Sequence, residues 1–199
     1  MASLPPAPRP RRGSDSRLAI LTAAESLLLE HGAEGLSIRR VSRLCGFSAP
    51  TIYHHFGDKR GLVDAVVDQR FGEVLEVMRA VPRGDDAALY LRELARAFVR
   101  FALANPNHYW LLHVPPGADA EPLPSAEAAR RLVHDGLQEL SESHSLATTD
   151  VEAAFQVIWA VLHGLISLRL TRPDFELDDH MLELALDMVE SGMLRKEQP

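Results

Sequence analysis

Three arginines crowd one short stretch, Arg39, Arg40 and Arg43, and are followed by Ser48, Ala49, Pro50, Thr51, Tyr53, His54, His55 and Lys59. Guanidinium forks match the geometry of phosphate oxygens or a guanine edge. Hydroxyl, phenol and ammonium groups bond phosphate oxygens singly. This is binding chemistry, and no catalytic constellation accompanies it. There is no glycine-rich phosphate loop, no G-x-S-x-G elbow and no H-E-x-x-H. The chain has nine histidines, but His108 and His113 stand five apart, unlike the i, i+4 pairs of metal-binding helices. The sequence therefore predicts no enzyme, no cofactor and no metal.

Short helices must position those donors. Ser37 is the predicted N-cap of a helix over 38–45 whose inner stripe is Ile38, Val41 and Leu44. Gly46 ends it, because glycine accepts a backbone conformation that a Cβ resists. Ser48 then caps a helix over 49–55, with Pro50 in the first turn, where a missing N–H costs little. Ala49, Pro50, Thr51, Tyr53 and His54 are expected to face outward, and Ile52 and Phe56 inward. Two such helices joined by Cys45-Gly46-Phe47-Ser48 form a helix-turn-helix over 37–56, short enough at its tip to enter a DNA major groove. A preceding helix over 14–31, capped by Ser14 and Asp15, buries Ile20, Leu21, Ala24, Leu27 and Leu28 and stops at Gly32. Gly57-Asp58 closes the second short helix and caps a long one from Lys59 to near Ala80.

Charge agrees with this placement. The whole chain carries a net −7, yet residues 1–60 carry +4 and residues 61–199 carry −11. A basic head on an acidic body concentrates attraction for phosphate at one end. Residues 1–13 form a Pro/Arg arm without periodicity, predicted to be disordered, whose Arg9, Arg11 and Arg12 either solubilise the chain or reach a minor groove. Cys45 is the one cysteine; it is expected to be a small buried hydrophobe rather than a redox sensor, and a cytoplasmic location follows. The longest apolar run, 153–168, falls short of a bilayer span and is read as a buried helix, so no membrane is expected.

Residues 20–62 resemble the DNA-binding domain of TetR-family transcriptional regulators. The likeness rests on Ile20-Leu21, Ala24, Gly32, Ser37-Ile38, Val41 and Gly46-Phe47-Ser48. It is strongest in Thr51-Ile52-Tyr53-His54-His55-Phe56, Asp58-Lys59 and Leu62. Ser42 and Cys45 replace the usual alanine, and Pro50 a frequent glycine. The resemblance implies that Tyr53 and Lys59 contact phosphates, as His55 does in some members. Pro50 and Thr51 match positions that meet bases and backbone, and Arg39 one that reads guanine in some members. Ser37 would offer a helix N-terminus to phosphate. Tyr53 packed on the first helix, solvated histidines, and Arg40 and Arg43 as phosphate contacts or plain surface charge remain alternatives.

The pattern beyond Pro82-Arg83-Gly84 stays helical, over 85–104, 107–113, 125–142, 149–170 and 178–194, giving an all-α chain of about nine helices. The division is an arm (1–13), a DNA-binding domain (14–58) and an effector and dimerisation domain (59–199). The resemblance implies that the last part holds a small-molecule effector and pairs through its final two helices. It further implies a homodimeric repressor on a near-palindromic double-stranded operator. The aromatic and polar set Phe98, Phe101, Tyr109, Trp110, His113, Phe155, Trp159 and His163 suits an apolar ligand held by one or two hydrogen bonds. The segments around 107–113 and Trp159 to Leu165 resemble one TetR subgroup. A ligand-independent or protein-controlled DNA binder and a metal-responsive regulator are the other readings.

Overall fold

The computed structural model describes residues 13–114 and 121–195, with side chains from Asp15 onward. Residues 1–12 of the predicted arm and the Pro115-Pro116-Gly117 loop lie outside the described residues, while the arm's expected last residue, Gly13, already opens α1. Among the described residues there are nine helices and no strand: α1 (Gly13–Gly35), α2 (Ile38–Cys45), α3 (Ala49–Phe56), α4 (Lys59–Arg79), α5 (Ala87–Ala104), α6 (Pro106–Leu111), α7 (Pro124–Glu142), α8 (Val151–Thr171) and α9 (Asp179–Met193). They divide into two compact units, one running through Val67 with Val114, the other comprising Asp68–His113 and 121–195. The helix α4 contributes to both.

In the first unit α1, α2 and α3 pack on one another. The apolar stripe of α1, Ile20, Leu21, Ala24, Leu27 and Leu28, is buried, as are Leu36, Ile38, Val41 and Ile52. The chain breaks at the expected Gly32 (φ 65°, ψ −179°), after which one further turn carries α1 to Gly35. Ser37 and Ser48 accept from the backbone N–H of Arg40 and Thr51, each at 3.3 Å, and Asp58 Oδ1 accepts from Gly61 at 2.7 Å. Each satisfies a donor that a helix start leaves open. Leu44 departs from its predicted inner stripe and is 58% exposed. In a helix of eight residues the inner face is filled by Ile38 and Val41, and Leu44 falls on the outer side of the last turn. Phe56 and Cys45 are half-buried rather than fully inward.

Gly46 joins α2 to the turn in the left-handed conformation (φ 77°, ψ 3°), and its N–H donates to Ser42 O. No atom lies within 4 Å of where a Cβ would stand, so the demand is conformational and not steric. Gly46→Ala is expected to destabilise this unit by about 1 kcal/mol, read as a lower urea midpoint. Gly46→Asn should lose less, because asparagine tolerates this region.

In the second unit α5 packs against α6, α7, α8 and α9, and α7 against α8. Asp86, Asp150 and Asp178 cap α5, α8 and α9 through the N–H of Leu89, Ala153 and Met181. One cluster joins Val74, Leu75 and Met78 of α4 to Tyr90, Leu94 and Ala129. Another joins Val99, Ala102 and Tyr109 to Leu162, Ile166, Leu182 and Leu186. Outside it, Arg92 donates to Glu183 (2.7 Å), Asp187 (2.5 Å) and Glu190 (2.9 Å), tying α5 to α9.

The expected buried helix over 153–168 is corrected. It is part of α8, which is 21 residues long, holds an 18-residue stretch of mean hydropathy 1.6 and so is long and apolar enough to cross a membrane. Among its residues only Ala154, Leu162 and Ile166 are buried, while Val157, Trp159 and Leu168 are exposed by 53%, 51% and 43%. An apolar run shows that a helix avoids water but not which surface covers it. Here the α5 and α7 side covers one stripe, and a shallow groove against α9 floored by Ala153, Val157, Ala185 and Gly192 leaves the other uncovered.

Candidate nucleic-acid interface and internal cavity

Every residue expected to touch DNA lies in the first unit, on α2, α3 and the start of α4 or, for Ser37 and Ser48, at the N-caps of α2 and α3. On α3, Pro50, Tyr53 and His54 fall at i, i+3 and i+4, hence on one face, and all three are exposed. Ser48 is exposed before them, while Ala49 and Thr51 are half-buried. The Ser48 hydroxyl also bonds the Thr51 hydroxyl at 2.8 Å, which holds both at the tip of α3. Ile52 at 0% exposure anchors the opposite side. Arg39 and Arg43, one turn apart on α2, are exposed, as is Lys59 at the first position of α4. This brings a hydroxyl-rich tip, a half-exposed phenol and three exposed cations to one small unit.

Two expected contacts are already engaged within the protein. Arg40 is half-buried and its Nη1 donates to Gly35 O at 2.8 Å, a brace between the end of α1 and the start of α2. His55 Nε2 lies 2.9 Å from the Oγ of buried Ser16, linking α3 to α1. The guanidinium of Arg17 stacks 5.4 Å over the Phe56 ring beside it. Pattern alone gave no sign of these ties, because each partner is 39 residues or one loop away.

The second unit holds a partly open cavity of about 180 Å³. Of the expected ligand residues, Phe98, His113, Phe155, Trp159 and His163 line it; Phe101, Tyr109 and Trp110 do not. Phe101 is packed into the cluster around Leu94, Tyr109 is 1% exposed within the core, and Trp110 is 41% exposed at the surface. The remaining wall was not anticipated: Phe71, Val74 and Met78 from α4, Leu91, Leu94 and Ala95 from α5, Ala126, Ala129 and Val133 from α7, and Ile158 and Leu162 from α8. Arg130 is the wall's one cation. Its guanidinium lies 5.1 Å over Phe155 and pairs with Glu152, so its charge is already compensated.

The polar end of the cavity is a three-residue cluster. His163 Nδ1 is 3.0 Å from His113 Nε2 and 3.2 Å from the Tyr109 hydroxyl. The same hydroxyl lies 3.3 Å from His163 O, and His113 Nδ1 lies 2.9 Å from Tyr109 O. The Trp159 and Phe98 rings close on His163 with centroids 4.3 and 5.2 Å away. Burial, reinforced by neighbouring His113, lowers the His163 imidazole to about 4 and keeps it neutral. Burial also pushes the Tyr109 phenol up to about 12, so its proton is retained. Among the described residues no group of three or more His, Cys, Asp or Glu could hold a metal ion.

Comparison with known proteins accounts for both units. The family described as bacterial regulatory proteins of the tetR family matches residues 20–66. The family described as tetracyclin repressor-like, C-terminal domain matches residues 91–191, just over half of the chain. The HTH-type transcriptional repressor AcnR of Corynebacterium glutamicum is 38% identical over 65 residues, 33% of this chain and 35% of that protein. The first such relatives are matched over only 35 to 40% of their own length. The AcnR repressor of Corynebacterium diphtheriae is 28% identical over 92% of this chain and 93% of that protein. A putative tetR family transcription regulator from Shewanella sp. PV-4 shares the fold, with a TM-score of 0.77 at 18% identity over 91% of this chain and 99% of that one. A helix-turn-helix unit and a helical body, each matched by its own family description, show that this chain belongs to the TetR family of DNA-binding transcriptional regulators.

Proposed function

We propose that the chain is a homodimeric repressor that leaves a near-palindromic operator when a small apolar molecule fills the cavity. Two α3 tips about one DNA turn (~35 Å) apart would occupy successive major grooves. Pro50 and Thr51 would meet bases and backbone, Tyr53 and Lys59 phosphates, and Arg39 a guanine edge. Ser37 would present the start of α2 to a phosphate. Ser48, Ala49, His54 and Arg43 border this surface; Arg40 and His55 act mainly as internal braces. On this reading residues 14–58 form the reading head, 59–199 the effector and dimer domain, and the protein works in the cytoplasm, where its DNA is.

One observation carries the effector half of the proposal: the apolar cavity, whose wall includes Phe71, Val74 and Met78 of α4, the helix that begins at Lys59. A ligand pressing on that wall acts on the same helix that carries a phosphate contact. Moving the dimer from 99% in one arrangement to 99% in the other takes about 5.5 kcal/mol of differential binding. The cavity favours this over a ligand-independent binder, and a wall with two histidines favours an apolar effector over a metal.

A gel-shift assay on the chain's own upstream DNA, titrated with salt, tests the DNA half. Lys59→Ala is expected to reduce the salt slope by about one unit, and Tyr53→Ala, which removes an uncharged phosphate contact, to weaken binding with the slope unchanged. Arg39→Ala should cost about 1–3 kcal/mol and relax preference at one base pair. His55→Ala should instead show its main effect as a lower melting temperature. Affinity indifferent to DNA sequence would sink the assignment.

A further inference from the structure

We propose that the cavity ends in a single hydrogen-bond acceptor, Nε2 of His163, and that the effector is a small neutral apolar molecule carrying a hydroxyl or N–H donor. The inference rests on the effector reading above and deepens it. It follows from tracing each proton. A carbonyl only accepts, so at 2.9 Å His113 Nδ1 donates to Tyr109 O. In a neutral imidazole that leaves His113 Nε2 as an acceptor. His163 Nδ1, 3.0 Å away, must therefore carry the hydrogen between the two rings. The Tyr109 hydroxyl cannot then donate to His163 Nδ1, and gives its hydrogen to His163 O at 3.3 Å. His163 is fixed as the Nδ1–H tautomer by the bond that this nitrogen makes to His113.

That leaves one lone pair. His163 lines the cavity, and its Nε2 bonds no other group among the described residues. Its surroundings, Trp159, Phe98 and Leu162, are apolar. A carboxylate there would face a lone pair, with the nearby guanidinium of Arg130 already paired to Glu152. A donor satisfies the site, and an apolar atom leaves the acceptor unpaired. The volume, about 180 Å³, compares with an engineered apolar cavity of about 150 Å³ that takes benzene. A body of one or two fused rings fits.

Calorimetric titration of the full chain with indole and with indene tests this, because the two share a shape and only indole has an N–H. Indole is expected to bind about tenfold tighter, the worth of a typical net hydrogen bond. His163→Phe keeps a ring against Trp159 and Phe98 and should bind both alike. Should that variant fail to fold, nitrogen-15 spectra of the unaltered protein read the tautomer directly, and a His163 Nε2–H form overturns the proposal. Equal binding of indole and indene to the unaltered protein also overturns it, while leaving the effector cavity standing. Binding of neither removes the cavity reading as well.

Discussion

Replacing Leu184 and Met188 together by aspartate is expected to split the proposed homodimer into monomers and to weaken operator binding by about a hundredfold or more. The two residues lie one turn apart on α9 and are 51% and 68% exposed. The opposite face of α9 is occupied: Leu182 and Leu186 are buried, and Glu183, Asp187 and Glu190 bind Arg92. Removing the outer pair therefore leaves the α9 to α5 attachment untouched, and the chain should keep its circular dichroism spectrum. On α8, Val157 and Leu168 present a matching uncovered face. In a two-fold dimer every substitution is doubled, so the change places four carboxylates in one apolar seam. Charges so buried are either neutralised or expelled. Once the two heads are unlinked, the second half-site contact is no longer intramolecular, and the tethering advantage, commonly 10²–10⁴, is lost. Sedimentation analysis alongside the gel shift reads both effects. A variant that stays dimeric, or a monomer that binds the operator as before, would refute the proposed interface.

Most of the DNA-reading half was legible because its determinants are local. Ser37, Gly46, Ser48 and Asp58 are caps and turns, and each acts within three or four residues of itself. Where two capping residues adjoin, the pattern slipped: the α5 start was placed at Asp85 and the α8 start at Thr149, while Asp86 and Asp150 make the caps. Either neighbour can accept the bond, and the choice is made by which stripe faces the core. Arg40 and His55 were read as surface donors because their partners, Gly35 O and Ser16 Oγ, are set by how α1 meets α2 and α3.

The cavity was legible only in part, for a different physical reason. Aromatic residues were chosen for bulk, yet a void is created where bulk is missing. Ala95, Ala126 and Ala129 are small side chains facing one another across α5 and α7. No periodicity announces that three alanines on two helices converge. Tyr109 and Phe101, being large, fill their own positions and close off space there. His113 and His163 were found because a polar atom on an apolar helix stands out in any pattern. Their mutual bond was not, since it spans 50 residues.

Acidification from pH 7.5 to pH 5 is expected to destabilise the protein by about 2 kcal/mol through His163 alone. Burial and His113 lower this imidazole from 6.5 to about 4, so the unfolded chain takes up a proton in that interval and the folded chain does not. With more protons on the unfolded state, stability rises with pH. The contribution is complete above about 6.5 and is lost progressively as pH falls towards 4. Glu183 works in a separate window. Hydrogen bonds from Arg96 and Arg92 hold it at about 2, so its contribution is present above about 4.5 and fades below that. Urea titrations between pH 7.5 and 5 therefore separate His163 from Glu183, and the His163→Gln variant separates it from the other histidines. His163→Gln should lose most of the slope over this range, and Glu183→Gln should keep it. An unchanged slope in His163→Gln would assign the titration to another group and remove the case for a neutral ring at the cavity end. Because the same neutral nitrogen is the proposed acceptor, indole should raise stability about equally at pH 7.5 and pH 5, and its advantage over indene should fade only as pH falls through about 4, where a protonated His163 has no lone pair to offer.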